Sequence, residues 1–337
     1  MVKRVALGFS ANAHVWASSK RFFLFEKRWT EAVAVQCVSC GTGKTDESSG
    51  GENFMRLLRY GEMGAEKPGL IDDEQVIRDL SMEIEDLSGN NLSRHSLKRL
   101  AAIDPKSLPK IDPSHRLGAP IARVGHFIAI GLNYADHAAE TGADLPVEPL
   151  VFSKAPSSIC GPHDELPIPP GSTKLDWEVE LAVVIGERAY NINETEAMNH
   201  VAGFCLCNDV SERAFQKERG GQFIKGKSSP RTGALGPWLV TPDRLGDPQQ
   251  LDLWLSVNGE IRQRGTTRDM LFSAAFIVSY LSKFMILEPG DVITTGTPSG
   301  VGAGMTPPQF LREGDILTLG IGGLGEQRQV VVRSAAS

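Results

Sequence analysis

Asp176-Trp-Glu-Val-Glu-Leu-Ala-Val-Val-Ile-Gly186 is the stretch of this 337-residue sequence that says most about its fold and chemistry. Alternate side chains of a β-strand point to the same face of the sheet. Apolar residues occupy every second position of the stretch, at Val179, Leu181, Val183 and Ile185. The pattern therefore predicts a strand with one apolar face, and it predicts that Glu178 and Glu180 share the opposite face.

Two neighbouring carboxylates on one face repel each other unless a positive charge neutralises them. A hard cation does this well, because Mg²⁺ and Mn²⁺ prefer carboxylate oxygens. The alternative is a solvent-exposed face whose charges are hydrated, and this segment alone favours it. Asp209 strengthens the metal interpretation, because it lies two residues after the apolar stretch 201–207 and acidic residues at strand ends are well placed to project into a site.

Working outward, the chain is predicted to be α+β and rich in β-strands, without a regular βαβ alternation. No G-x-G-x-x-G follows a predicted strand, which argues against a dinucleotide-binding fold. The clearest predicted strands are 127–130, 177–185, 201–207, 251–257, 291–295 and 316–321. Helices are predicted at 93–103, 134–140, 194–198, 211–216 and 272–283.

Three further segments carry reactive side chains, each with an ordinary alternative. His137 and Glu140 lie three apart on a predicted helix, where a carboxylate can orient a histidine and raise its basicity; a plain surface pair is the favoured alternative. Lys227 could stabilise an enolate near a metal, although a solvated lysine is the simpler interpretation. Thr297 lies in the Gly-rich loop 294–302, which could present backbone N–H groups to an anion or be a tight loop without a ligand.

Composition excludes several classes of function. The net charge is −6 and the pI is near 5.7, so a basic face for nucleic acid is not expected. Apolar runs are far shorter than the roughly 20 residues of a membrane span, so no membrane association is expected. Cys37 and Cys40 form a C-x-x-C without the second pair that a structural zinc site needs. The default compartment is the reducing cytoplasm.

Taken together, the ordered motifs resemble the fumarylacetoacetate hydrolase superfamily over residues 55–332. The segments that carry the resemblance are Gly131-Leu-Asn-Tyr-Ala-Asp-His-Ala-Ala-Glu140, Asp176-Trp-Glu-Val-Glu180, Asn208-Asp-Val-Ser-Glu-Arg-Ala-Phe-Gln216, Lys225-Gly-Lys-Ser228, Leu235-Gly-Pro-Trp-Leu-Val240 and Pro289-Gly-Asp-Val-Ile-Thr-Thr-Gly-Thr-Pro-Ser-Gly-Val301. It implies a small N-terminal domain at 55–118 and a catalytic domain with a mixed β-roll at 119–332. It also implies a homodimer.

The resemblance also implies roles for particular residues. Mg²⁺ or Mn²⁺ is expected on the carboxylates of Glu178, Glu180 and Asp209. The catalytic residues are expected to be the water-activating pair His137 and Glu140, with Lys227 as the active-site lysine. The residues expected to line the substrate pocket are Tyr134, Arg213, Gln216 and Thr297.

A finer similarity is to the 2,4-diketo-3-deoxy-L-fuconate and L-rhamnonate hydrolases. It implies a hydrolase that cleaves a C–C bond of a 2,4-diketo acid and releases pyruvate or a similar oxo acid in sugar-acid catabolism. Alternatives on the same metal–enolate platform are an oxo-acid decarboxylase and a hydroxymuconate-type isomerase. A catalytically inactive oxo-acid-binding protein is a further alternative.

Two parts of the chain depart from the family. Relatives usually continue the lysine motif as Lys-Ser-Phe-Asp-Thr-Phe, whereas here Pro230 and Arg231 follow Lys227-Ser-Ser. Proline fixes φ and removes a donor, so a differently shaped loop and an extra cation near the pocket are expected. Residues 1–54 lie outside the resemblance and are expected to be disordered or not part of the native domain. A signal peptide, a transit-like leader and an upstream extension of the reading frame are the open interpretations.

Overall fold

The computed structural model describes residues 55–334, and the predictions for residues 1–54 lie outside the described residues. The strands of this part are β1 Arg56–Tyr60, β2 Lys67–Ile71, β3 Ile77–Asp79, β4 Leu117–Gly118, β5 Phe127–Gly131, β6 Leu150–Lys154, β7 Ile159–Cys160, β8 Leu166–Ile168, β9 Leu175–Asp176, β10 Val179–Ile185, β11 Val201–Asp209, β12 Ser211–Glu212, β13 Gly233–Leu235, β14 Leu239–Val240, β15 Asp252–Val257, β16 Glu260–Thr266, β17 Val292–Thr294, β18 Ile316–Ile321 and β19 Gly325–Arg333. The α-helices are α1 Arg94–Ala101, α2 Ala135–Thr141, α3 Arg213–Lys217, α4 Ile224–Lys227, α5 Pro242–Leu245 and α6 Ala274–Ser282. Short 3₁₀ helices occur at Gly89–Leu92, Pro105–Ser107, Pro156–Ser158, Glu194–His200, Thr267–Asp269 and Gly302–Gly304.

Most strands belong to one sheet of twelve, whose main path runs β3-β2-β1-β14-β11-β10-β17-β5-β6. A second sheet of five runs β16-β15-β18-β19-β8, and β9 pairs with β12. Most neighbours are antiparallel, but three pairs are parallel: β17 with β5, β19 with β8, and β13 with β7. The sheets are therefore mixed, and the predicted α+β, β-rich class is confirmed.

Strand β10 lies inside the large sheet with apolar cores on both sides. Val179, Leu181, Val183 and Ile185 pack in a core shared with β15, β18 and α6. Ala182 and Val184 pack in a second core with β1 and α1. The predicted alternation is confirmed, but the hydrated-face alternative is wrong, because Glu178 and Glu180 are 4% and 2% exposed.

The helices differ from the predictions in where they begin and in one case in their type. Helix α1 begins after Ser93, whose hydroxyl accepts the N–H of Ser96, as an N-cap should. The helix predicted from 211 begins only at Arg213, because Ser211 and Glu212 pair with β9 first. The helix predicted at 194–198 is a 3₁₀ helix instead.

Strand β1 connects the N-terminal part of the described chain to the large sheet. Arg56 and Leu57 pair with Val240 and Leu239 of β14, and β2 pairs along the other edge of β1. The separate domain predicted at 55–118 stays a prediction. Among the helices that the structure describes, none is long and apolar enough to span a bilayer.

Candidate active site

The acidic trio forms where the start of β10 meets the end of β11. In this antiparallel pair Val179 lies opposite Asn208, and the N–H of Asp209 donates to the carbonyl of Glu178 at 2.9 Å. Each of the three acids has a carboxylate oxygen within 4.8 Å of the others'. Strand pairing therefore brings Asp209 to the glutamates, which the alternation of β10 could not predict.

Lys227 links two of these carboxylates. Its Nζ lies 2.6 Å from Glu178 Oε2 and 2.7 Å from Asp209 Oδ2. Burial opposes ionisation of Glu178, but the charges of Lys227 and Arg213 outweigh it and lower the pKa of Glu178 below its ordinary value. Burial also opposes the charge of Lys227, yet Asp209 and Glu178 raise its pKa. Lys227 and Glu178 are therefore ionised partners.

Glu180 has the opposite environment from Glu178. Burial, followed by the negative charges of Asp209 and Glu178, raises the pKa of Glu180 well above its ordinary value. The backbone N–H of Gly296 donates to Glu180 Oε2 at 2.8 Å. This one neutral donor does not compensate a buried carboxylate, so without a cation Glu180 favours its neutral, protonated form.

Lys154, at the end of β6, is a member of the site that the sequence analysis missed. Its Nζ lies 2.6 Å from Asp209 Oδ1 and donates to the carbonyl of Thr232 at 3.0 Å. Both side chains of this pair are fully buried. Nothing in the sequence distinguished Lys154 from a surface lysine that ends an edge strand, so no local signal could have found it.

Arg213 orients the other side of Glu178. Its Nη2 lies 2.7 Å from Glu178 Oε1, and its Nε donates to Asp176 Oδ2 at 2.8 Å. Asp176 in turn accepts the N–H groups of Gly302 and Ala303 at 2.7 and 3.0 Å. Asp176, for which no role was predicted, therefore connects Arg213 to the loop that follows β17.

The chemistry of the donor set fits a divalent cation. The trio offers only carboxylate oxygens, which hard cations such as Mg²⁺ and Mn²⁺ prefer. Three buried carboxylates, those of Asp176, Glu178 and Asp209, pair with the cations Lys154, Arg213 and Lys227. Glu180 has no ion-pair partner among the described residues, and a bound cation would favour its ionised form.

His137 and Glu140 lie on the same face of α2, as their spacing predicts. His137 Nδ1 is 3.4 Å from Glu140 Oε2, and Glu140 Oε1 accepts the N–H of Gly300 at 2.9 Å. A Cβ at Gly304 would lie 2.2 Å from Glu140 Cγ. The loop after β17 therefore holds Glu140 by a hydrogen bond and needs a glycine to approach it so closely.

A cavity of about 180 Å³ lies beside the acidic trio. Its polar lining includes seven of the ten predicted site residues: His137, Glu178, Glu180, Arg213, Gln216, Lys227 and Thr297. Asp209 lies behind this lining, between the two lysines, and Glu140 lies behind His137. Tyr134 is buried, does not line the cavity, and its hydroxyl has no hydrogen-bond partner among the described residues.

Thr297 and Arg231 contribute less to the pocket than the sequence predicted. The hydroxyl of Thr297 donates to the carbonyl of Val179 at 2.9 Å and accepts from Gln263 Nε2 at 2.7 Å, so the protein already satisfies it. Arg231 has a φ of 61° and its guanidinium lies 3.9 Å from Met63 Sδ. Arg231 does not line the cavity, so it does not add the positive charge to the pocket that the sequence analysis expected.

Comparison with known proteins gives consistent results. Residues 126–332 match the family model described as fumarylacetoacetate (FAA) hydrolase C-terminal. A protein of Burkholderia ambifaria with a hydrolase name is 58% identical over 276 residues, covering 82% of this chain and 98% of that protein.

Two solved structures extend the comparison. One is the fumarylacetoacetate hydrolase of Exiguobacterium antarcticum, at 35% identity and a TM-score of 0.74, covering 83% of this chain and 99% of that one. The other is the maleylpyruvate hydrolase of Sphingobium sp. SYK-6, in complex with manganese(II) and pyruvate, at 26% identity and a TM-score of 0.69. It covers 83% of this chain and 100% of that one.

Proposed function

Because this chain belongs to the fumarylacetoacetate hydrolase family, we propose that it is a divalent-metal-dependent hydrolase that cleaves the C3–C4 bond of a 2,4-dioxo acid and releases pyruvate. The observation that carries the proposal is one cavity lined by Glu178, Glu180, Lys227 and His137, with Asp209 and Glu140 directly behind them. The similar maleylpyruvate hydrolase binds manganese and pyruvate, which agrees with an oxo acid as product.

The cation contributes Lewis-acid chemistry when bound, which polarises a carbonyl group of the substrate. Glu178, Glu180 and Asp209 are the residues that would hold it, with Lys154 and Arg213 fixing two of these carboxylates. Mg²⁺ and Mn²⁺ both suit the oxygen ligands, and we propose that either supports activity.

His137 is the general base of the proposed reaction. Glu140 faces Nδ1 of the ring, which leaves Nε2 to accept a proton from water. The resulting hydroxide adds to C4, the C3–C4 bond breaks, and its electron pair passes to C3. The distal fragment leaves as a carboxylic acid, and the proton taken up by His137 passes to C3 to give pyruvate.

Lys227 stabilises the negative charge that develops on the three-carbon fragment. Its ammonium is buried, ionised and held at the cavity wall by two carboxylates. A fixed, buried cation stabilises an enolate more than a solvated lysine does. The same arrangement suits decarboxylation or isomerisation of an oxo acid, but those reactions do not require a base that activates water.

The test is pyruvate release from a panel of 2,4-dioxo acids, followed with lactate dehydrogenase and NADH, with EDTA or with added Mg²⁺ or Mn²⁺. We expect metal-dependent release that is lost in Glu178→Gln and kept in the control Glu326→Gln, which changes an exposed acid outside the cavity. Equal release in EDTA, or an active Glu178→Gln protein, would overturn the proposal. Oxaloacetate decarboxylation without any dioxo-acid cleavage would identify a decarboxylase instead.

We also propose that the protein is a homodimer, as members of the family usually are. The described surface that supports this is the row of aromatic residues in and next to α6, together with the exposed edge strand β6. Phe276 stacks with Phe272 and Tyr280, and Phe284 is 64% exposed. Light scattering after gel filtration is expected to give twice the chain mass, and Phe284→Lys is expected to shift it toward the monomer. A wild-type monomer at micromolar concentration would contradict this.

A further inference from the structure

Lys217 differs from every other charged residue that lines the cavity. His137, Glu178, Glu180, Arg213 and Lys227 are buried there, whereas Lys217 is exposed to solvent. Lys217 follows Arg213 by four residues on α3, so the two side chains lie on the same side of the helix. Four residues of helix rise by about 6 Å, which separates Lys217 from the inner end of the cavity by about one turn.

The positive charge of Lys217 is not used within the described part of the protein. The two inner cations, Arg213 and Lys227, are both paired with carboxylates. No described carboxylate lies within ion-pair distance of Lys217, and the adjacent Glu218 pairs with Lys174. Partial burial and the neighbouring Arg213 lower the pKa of Lys217 from its usual value, and the charges of Glu178 and Asp176 offset only part of this effect.

The rest of the cavity mouth is mostly apolar. Besides Lys217, the partly exposed side chains that line the cavity are Leu132, Thr141, Ala143, Leu150, Phe152, Phe223 and Ala303. The hydroxyl of Thr141 already donates to the carbonyl of His137 at 2.9 Å. Phe152 and Phe223 pack edge to face at 5.4 Å, and Lys227 lies 5.2 Å from the ring of Phe152. A chain of several hydroxyl groups would leave most of them without partners against these side chains. A hydrocarbon segment would suit them.

We propose that Lys217 is a specificity-determining residue that binds a second, distal carboxylate of the substrate. The preferred substrates are then 2,4-dioxo acids with an apolar chain and a carboxylate at the far end, rather than polyhydroxylated sugar acids. This inference rests on the proposed function for the inner end of the cavity. It assigns the outer end of the cavity to the distal carboxylate of the substrate. There the carboxylate would accept a charge-assisted hydrogen bond from Lys217 in partly apolar surroundings.

The first experiment measures binding without turnover, by calorimetry on the Mn²⁺-loaded protein. The probes are 2-oxoadipate and 2-oxohexanoate, which have the same oxo-acid end and chain length but end in a carboxylate and a methyl group. We expect the wild type to bind 2-oxoadipate with a Kd about fivefold lower than that for 2-oxohexanoate. This ratio corresponds to an exposed ion pair that contributes about 1 kcal/mol. Lys217→Met should remove this preference, and Lys217→Arg should keep it.

The control is Lys98→Met, which removes the same charge from an exposed position on α1 outside the cavity. It should leave both affinities unchanged. Equal binding of the two probes to the wild type, or an unchanged preference in Lys217→Met, would overturn the inference.

The second experiment measures turnover of 2,4-dioxoheptanedioate and its 7-carboxamide. Lys217→Met should raise KM for the diacid about fivefold with little change in kcat, and should not affect the amide. An equal loss on both substrates would mean that Lys217 has only a structural role. A wild type that prefers 2-oxoadipate but cleaves no dioxo acid would leave Lys217 supported and refute the proposed hydrolase instead.

Discussion

Replacing Lys154 by methionine tests how much the buried ion pair between Lys154 and Asp209 contributes to the free energy of unfolding. Methionine keeps most of the side-chain volume but removes the ammonium, which lies 2.6 Å from Asp209 Oδ1 in a fully buried position. Removing one partner of a buried ion pair typically costs about 3–5 kcal/mol, because the remaining charge is left without compensation. Asp209 still has Lys227 at 2.7 Å from Oδ2, so the lower end of this range applies.

The hydrogen bonds of Lys154 add to the cost. Its Nζ also donates to the carbonyls of Thr232 at 3.0 Å and Val210 at 3.3 Å, and an unsatisfied buried acceptor costs about 1 kcal/mol or more. We therefore expect Lys154→Met to lose at least about 3 kcal/mol of folding free energy. At about 2–4 °C per kcal/mol for a domain of this size, Tm should fall by about 6–12 °C.

The measurement is thermal unfolding in EDTA, followed by circular dichroism, with Lys98→Met as the exposed control. That control should stay within about 0.5 kcal/mol of the wild type. The double variant Lys154→Met/Asp209→Asn should lose less than the sum of the two single variants, because it removes both charges of the pair. Additive losses, or a Lys154→Met protein as stable as the control, would refute the assignment of Lys154.

Three further outcomes follow from the same geometry. After removal of EDTA, Mn²⁺ at a hundred times its Kd should raise the free energy of unfolding by about 2.7 kcal/mol. Glu180→Gln should abolish this increase. An equal increase in the wild type and the variant would exclude Glu180 as a metal ligand. Gly304→Ala should lower kcat at least about tenfold with little change in KM, because the new Cβ would lie 2.2 Å from Glu140 Cγ. The control is Gly322→Ala, whose new Cβ would have no contact closer than 4.0 Å. Equal kcat values for the two variants would contradict a role for the contact between Gly304 and Glu140. Arg213→Lys should reduce kcat/KM by about tenfold or more, because an ammonium cannot bind both carboxylates, Asp176 and Glu178, as the guanidinium does. An unchanged kcat/KM in steady-state kinetics would contradict this.

Much of the chemistry could be predicted from local sequence. The alternation around Glu178 and Glu180 predicted their shared face, and the i,i+3 spacing of His137 and Glu140 predicted their contact. Both predictions rest on the fixed periods of strand and helix, which need no knowledge of the rest of the chain. The ordered motifs then indicated the family, which the comparisons confirm.

The sequence misjudged what lies around these elements. The alternation of one segment, taken alone, favoured a hydrated face for the glutamates, yet both are buried and a second core packs beside Ala182 and Val184. The sequence analysis expected Arg231 in the pocket, but a positive φ at this residue accompanies a guanidinium that lies near Met63 instead. Burial and loop direction depend on neighbours that are distant in the sequence, so local periodicity cannot supply them.

The sequence by itself determined that β10 is a strand with two carboxylates on one side, because side-chain alternation is a property of the extended backbone. Only the tertiary structure decided that Asp209 joins them, through the pairing of β10 with β11. It also decided that Lys154 and Lys227 neutralise Asp209 from two sides. Charge compensation acts through space over a few ångströms, so its partners are set by how the chain folds and not by their spacing along it.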